Sequence, residues 1–441
     1  MFTIISLVAI IILIVVAITY WKLHPFITLL LAGILIGFLS GMNTSTIITN
    51  LTEGFGNTLK SIGIVIAFGT IIGTFLERSG GARAMAEFIL KIVGEKRSAL
   101  AMNITGFIVS IPVFCDSGFV ILSTLNKALS KKTGTSLSVL AIALATGLYT
   151  THVFVPPTPG PLAAAATLGA DIGLIILFGL IVSIPTAASG LIWAQTYCKK
   201  FEIIPEKIVD NSIDHSLSPG PMMAFAPLII PIILIALKSI ADYPTQPFGG
   251  GILKEIFAFI GHPVVALLIG VFISFGLKIR GKVEGTRFDW VSSGLKNAGT
   301  IILITGAGGA FGTVLRATGV GDILGQVMSE WQMGIFLPFL IAAVLKSAQG
   351  SSTVAIITTA ALMIPLLEPL GFVAPAAKAL VVLAIGAGSM TVSHLNDSYF
   401  WVVAQFSNLD TATALRCHSV ATLLQGIVGI ITIAIISWIV I

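Results

Sequence analysis

The stretch that decides the fold is LSVLAIALATGLYTTHVFVPPTPGPLAAAATL, residues 137–168. A helix needs about 20 apolar residues to cross a hydrocarbon core roughly 30 Å thick, and this run is longer than that. It is interrupted by TTHVFVPPTPGP (150–161), where proline removes backbone donors and frees upstream carbonyls. Such a break is tolerated at membrane depth only when protein encloses it or it lines a cavity, so the run predicts a discontinuous helix beside an internal site. A second long run, residues 376–408, is broken in the same manner by SHLNDS (393–398).

The rest of the chain fits this reading. Of 441 residues 56% are apolar and 10% charged, against roughly a quarter charged in a soluble domain, so an all-α polytopic membrane protein is expected. Full spans are predicted near 3–20, 24–41, 58–76, 171–196, 222–240, 255–278, 297–316 and 417–440. Phe2 to Tyr20 lacks a basic n-region and a small-residue cleavage site, so it is read as a retained span. Residues 98–130 and 334–366 are too short to cross twice, and each has a polar middle; they are read as re-entrant hairpins.

The order three spans, hairpin, broken helix, span in residues 1–200 recurs in residues 222–441, with 201–221 as a cytoplasmic linker. GTFLERSG from Gly73 matches GTVLRATG from Gly312, VLAI at 139–142 matches VLAI at 382–385, and Thr151-His152 matches Ser393-His394, at offsets of 239, 243 and 242. A hairpin adds no net crossing, so each repeat crosses an odd number of times and the second is expected to be inverted. With both termini outside, Lys60, Lys238, Lys254, Arg316 and Lys378 face outward and Lys346 lies in the second hairpin, leaving 18 of the 24 basic residues on the cytoplasmic side. The positive-inside rule favours that orientation.

Cys115, Cys198 and Cys417 have no metal or disulfide spacing, and the net charge of +5 comes from short loops rather than a nucleic-acid patch. Phosphate-loop, zinc-helix and nucleophile-elbow motifs are absent, so neither an enzyme nor an ATP-driven pump is expected, and no cofactor or metal is called for.

The chemistry concentrates at the interruptions. Cys115-Asp116-Ser117-Gly118 forms the expected tip of the first hairpin, and Asp116 is the first candidate for proton coupling, with helix capping as its plain alternative. The second tip carries Lys346, Gln349, Gly350, Ser351, Ser352 and Thr353, donors suited to a polyhydroxylated carboxylate, although Lys346 also fits a snorkelling or ion-paired role. The broken helices add Thr150, Thr151, His152 and Thr158 in one repeat, and Ser393, His394, Asn396 and Asp397 in the other. His152, His394 and Asp397 are further proton-coupling candidates, and the hydroxyl and amide groups, with Ser117 and Gly118, are candidate substrate contacts.

Through PVFCDSGFVIL (112–122), GLYTTHVFVPPTPGP (147–161) and KSAQGSSTVA (346–355) the chain resembles, nearly end to end, the gluconate permease (GntP) family of bacterial proton symporters. The resemblance implies a multi-pass protein of the bacterial cytoplasmic membrane, homodimeric like other members of the ion transporter superfamily. It also implies uptake of a small hydroxylated carboxylate such as gluconate, idonate, glycerate, hydroxybutyrate or D-serine together with a proton; sodium coupling, because hairpin tips with Ser, Asn and carbonyl oxygens can also cage Na⁺, and a passive anion channel or membrane sensor are the alternatives. Some members carry Glu at the position of Asp116 and Arg at that of Lys346, which leaves the subgroup open.

Overall fold

A computed structural model describes residues 9–10, 12–14, 16–18, 20–203, 219–241, 251–277, 286–319, 333–395 and 397–440. Part of the span expected at 3–20, most of the 201–221 linker and Asn396 lie outside the described residues. Among those described, every regular element is a helix. In chain order they are α1 (Pro25–Leu39), α2 (Thr44–Arg78), α3 (Gly81–Val93), α4 (Ser98–Val109), α5 (Cys115–Thr133), α6 (Leu137–Phe154), α7 (Pro159–Leu168), α8 (Ile172–Thr196) and α9 (Pro221–Ala241). There follow α10 (Ile252–Ile260), α11 (Pro263–Phe275), α12 (Arg287–Ala317), α13 (Phe336–Gln349), α14 (Ser352–Met363), α15 (Pro375–Met390), α16 (Ser398–Phe406) and α17 (Thr411–Val440).

By length and composition, Leu137–Leu168, Ile172–Lys200, Pro221–Lys238, α12 and α17 are each apolar enough to cross a membrane. The single span expected at 255–278 is instead two helices, α10 and α11, meeting at 63°. The cause is local: Pro263 opens α11 without an N–H to offer α10, and His262 Nδ1 caps the new helix by accepting from Val264 N at 3.4 Å. The helices expected at 58–76 and 297–316 start earlier, because Asn43 Oδ1 accepts from Thr46 N at 2.8 Å and Thr286 forms a capping box with Asp289. Helix α3 was not anticipated. It buries Ala82, Met85, Ala86 and Ile89 on one face and places Arg83, Glu87 and Lys91 on another, an amphipathic pattern too polar to register as a span.

The centre of the molecule is α6, in which every residue is buried. A helix enclosed on all sides has no face left for lipid, so this apolar run lies within protein. Backbones meet closely there. A Cβ on Gly147 of α6 would lie 2.1 Å from the Asn103 carbonyl of α4, and one on Gly388 of α15 would lie 2.1 Å from the Phe339 carbonyl of α13. Small residues permit this approach, the usual device for helix packing without a hydrophobic driving force. Gly147→Ala and Gly388→Ala are each expected to lower the melting temperature, since overpacking typically costs about 1–3 kcal/mol. An unchanged melting point in differential scanning fluorimetry would show that these helices part easily.

Candidate functional site

Four irregular segments separate the paired helices. In the first, residues 110–114, Ser110 N closes α4 on the Gly106 carbonyl at 3.0 Å and Pro112 prevents the helix from resuming at once. The stretch Cys115 to Gly118, expected at a hairpin tip, therefore forms the opening turn of α5. In the second, residues 155–158, the Pro156–Pro157 peptide is cis, and Pro159 restarts the chain as α7. The third is Gly350 and Ser351: Gly350 takes φ +83°, and Ser351 Oγ accepts from Val354 N at 3.3 Å to begin α14. The fourth, residues 391–397, holds Val392 at φ +53°, a left-handed conformation that costs a β-branched residue about 1–3 kcal/mol and gathers at functional sites.

These segments come together because α6 packs on α4, α5, α15 and α16, α7 on α14 and α15, and α5 on α16. At their meeting point Lys346 Nζ lies 2.6 Å from Asp397 Oδ2, with the two side chains only 1% and 5% exposed. Desolvating each ion costs several kcal/mol, so both need further partners. Asp397 also accepts from Ser393 Oγ at 2.5 Å and, as N-cap of α16, from Tyr399 N at 3.0 Å. Lys346 donates to the Gly350 carbonyl and sits 5.9 Å from the Tyr149 ring centre. The ammonium is held inside the protein rather than snorkelling.

Asp116 lies within electrostatic range of both Asp397 and Lys346. Phe114, not Asp116, occupies the N-cap of α5, and Asp116 Oδ1 is buried without a hydrogen-bond partner. The carboxylate also takes a hydrogen bond from its own backbone N–H in the first turn of α5. Oδ2 faces the Cys115 thiol at 3.9 Å. His152 is in the last turn of α6, within range of Asp397 and Lys346, with Nδ1 buried and unpartnered. His394 lies in the irregular fourth segment with Nε2 2.9 Å from the Ser347 carbonyl. The two histidines thus match in sequence but not in local structure, because α15 stops at Met390 while α6 runs on past His152.

Several hydroxyls serve the scaffold. Thr150 Oγ1 donates to the Thr146 carbonyl at 2.7 Å and accepts from Gln425 Nε2 at 2.7 Å. Thr151 and Thr158 donate to the Phe107 and Val155 carbonyls at 2.8 and 2.7 Å. Gly118 is a packing position, where a Cβ would lie 2.8 Å from Leu148 Cδ2. Ser352 hydrogen-bonds the Tyr149 phenol, and Ser117 and Thr353 are half-buried. Gln349 ends α13, and its side chain lies outside the described set.

The GntP family permease model matches residues 1–439. The chain belongs to the GntP permease family. As a GntP permease it is a transporter and not an enzyme. It is 34% identical to a gluconate permease of Pseudomonas aeruginosa over 432 residues, 96% of this chain and 95% of that one. It is 32% identical to the D-serine transporter DsdX of Escherichia coli K12 over 440 residues, 98% of this chain and 97% of the other. The fold is similar to the crystal structure of the YdaH transporter of Alcanivorax borkumensis, with a TM-score of 0.69 and 15% identity over 95% of this chain and 98% of that one. Several apolar helices and the family together make this GntP permease a multi-pass membrane transporter.

Three site residues of the permease escaped the sequence reading. His418 is buried with Nε2 3.2 Å from Ser393 Oγ. It sits in a π-helical turn, Leu415–Ser419, that buries Cys417, His418 and Ser419 together, and Ser419 Oγ donates to the Ser393 carbonyl at 2.5 Å. The Tyr149 and Tyr399 ring centres lie 5.1 Å apart at an interplanar angle of 43°, with Tyr149 near Lys346, and Tyr399 Oη donates to the Ala145 carbonyl at 2.9 Å. The polar run RCHS (416–419) at the head of an apolar span was the available signal for His418; nothing marked the two tyrosines.

Proposed function

We propose that this permease imports gluconate or a related small hydroxy acid together with a proton, by alternating access around the Lys346–Asp397 centre. The carrying observation is the buried, hydrogen-bonded pair with the partnerless carboxylate oxygen of Asp116 beside it. An incoming carboxylate competes with Asp397 for the Lys346 ammonium. One ammonium and two carboxylates leave the centre with a single formal negative charge. Admitting an anion doubles that charge unless a carboxylate takes up a proton, and concentrating two negative charges in a low dielectric is costly. A proton held at Asp116 Oδ1 balances each anion admitted. His152 and His418 are buried within electrostatic range of Asp397 and Lys346, and are the nearest imidazoles proposed to respond to that proton.

The two repeats are proposed to be inverted, with the helix pairs α4–α5 and α13–α14 as hairpins entering from opposite faces. The matching close approaches at Gly147 and Gly388, 241 residues apart, support a repeat, and the distribution of Lys and Arg supports the inversion. Both termini then lie outside. The hydroxyls of Ser352, Thr353 and Ser117 are the groups proposed to read the substrate's hydroxyls.

A ligand that binds only the folded state raises its stability, so the substrate is tested by melting the purified protein with gluconate, idonate, glycerate, 3-hydroxybutyrate and D-serine at equal concentration. Gluconate or idonate is expected to give the largest shift. A shift from D-serine alone would replace the sugar acid with an amino acid, and no shift from any of the five would remove the hydroxy-acid reading.

A further inference from the structure

A polar cavity lies far from the Lys346–Asp397 centre, at the opposite end of α5 from Asp116. Along a helix rising 1.5 Å per residue the separation is about 25 Å. The cavity measures about 700 Å³ and is walled by the start of α4, the turn between α5 and α6, and the segment that follows α8. It gathers Lys96, Arg97, Lys131 and Lys199 around one carboxylate, Glu202. None of these four cations forms an ion pair among the described residues, whereas their neighbours are occupied. Lys132 pairs with Glu95 at 2.6 Å, and Lys200 lies 5.0 Å from the Tyr197 ring centre. Buried Ser98 and half-buried Thr135 also line it, with Oγ and Oγ1 3.3 Å apart.

We propose that this cavity binds a phosphate-bearing anion, either the headgroup of an anionic phospholipid or a free phosphate compound. The four cations are solvent-exposed, and with a single carboxylate among them they leave the cavity net positive, a field that an entering anion meets favourably. The Arg97 fork matches two phosphate oxygens, and the three ammonium groups act as point charges around it. A cavity of this volume takes a headgroup, and basic pockets between membrane helices recognise anionic lipids. Because the walls belong to α4, α5, α6 and the chain after α8, the occupant ties these elements together and stabilises the folded state.

The test melts the full chain in detergent with phosphatidylglycerol against phosphatidylcholine, and with inorganic phosphate against chloride at equal ionic strength. Binding is expected to raise the melting temperature by about 3 °C or more. The rise is expected to vanish in Lys96→Gln/Arg97→Gln/Lys131→Gln/Lys199→Gln and to persist in Lys91→Gln/Lys200→Gln, which removes basic charge outside the cavity. A rise with the lipid alone assigns a headgroup; a rise with phosphate, with or without the lipid, assigns the phosphate group itself. No rise with either ligand, or equal loss in the two variants, overturns the proposal. If the fourfold variant aggregates on size exclusion, Arg97→Gln alone carries the same comparison.

Discussion

Asp397→Asn and Lys346→Met, made singly, are each expected to destabilise the protein by about 3–5 kcal/mol, because removing one partner of a buried ion pair strands the charge of the other. The side chains are 1% and 5% exposed, so water cannot take over the missing contact. The double variant Lys346→Met/Asp397→Asn removes both charges and keeps an acceptor for Tyr399 N at the head of α16. It is expected to recover most of the lost stability, since a neutral replacement of a buried pair is often tolerated. Its function should not recover. A charge-assisted hydrogen bond contributes about 1.5–3 kcal/mol, so gluconate affinity is expected to fall by roughly ten- to a hundredfold. Denaturation curves beside isothermal titration of the three variants check both halves. Single variants as stable as the parent would show that the pair is not strained by burial, and a double variant that binds normally would remove Lys346 from substrate recognition.

Asp116→Asn is expected to abolish accumulation of substrate against its gradient while leaving exchange between internal and external substrate largely intact. Asparagine fills the same space but holds no transferable proton, so a centre that must neutralise one carboxylate per anion loses its coupling without losing its shape. Oδ1 of Asp116 has no hydrogen-bond partner, so the substitution breaks none at that atom. Counterflow in proteoliposomes measured beside uptake under an imposed pH gradient separates the two effects. Equal loss of both would make Asp116 a structural residue, and retention of both would move the coupling to His152, His418 or Asp397.

The interrupted runs were legible in sequence because proline, glycine and clustered polar residues stand out against an apolar background, as at 150–161 and 393–398. The chemistry within them was only half legible. Lys346 and Asp397 were visible as isolated charges, but a pairing across 51 positions of chain depends on how α13 and α16 converge, which no local pattern records. His418 was hidden for a different reason. It falls at the head of an apolar span, where hydropathy reads a membrane crossing and a π turn leaves no periodic trace. The bend at Pro263 was readable from Pro263 itself, but the surrounding apolar residues outweighed it. At the hydroxyl positions the sequence does not show the local partners: Thr150, Thr151 and Thr158 each donate to a backbone carbonyl in the fold.

The most direct measurement is the movement of protons with gluconate into sodium-free proteoliposomes carrying a trapped pH dye. Proton-coupled import predicts that added gluconate acidifies the lumen in step with its own uptake, and that Asp116→Asn eliminates the signal. Gluconate uptake that leaves the internal pH unchanged, and that an imposed sodium gradient drives instead, would contradict it.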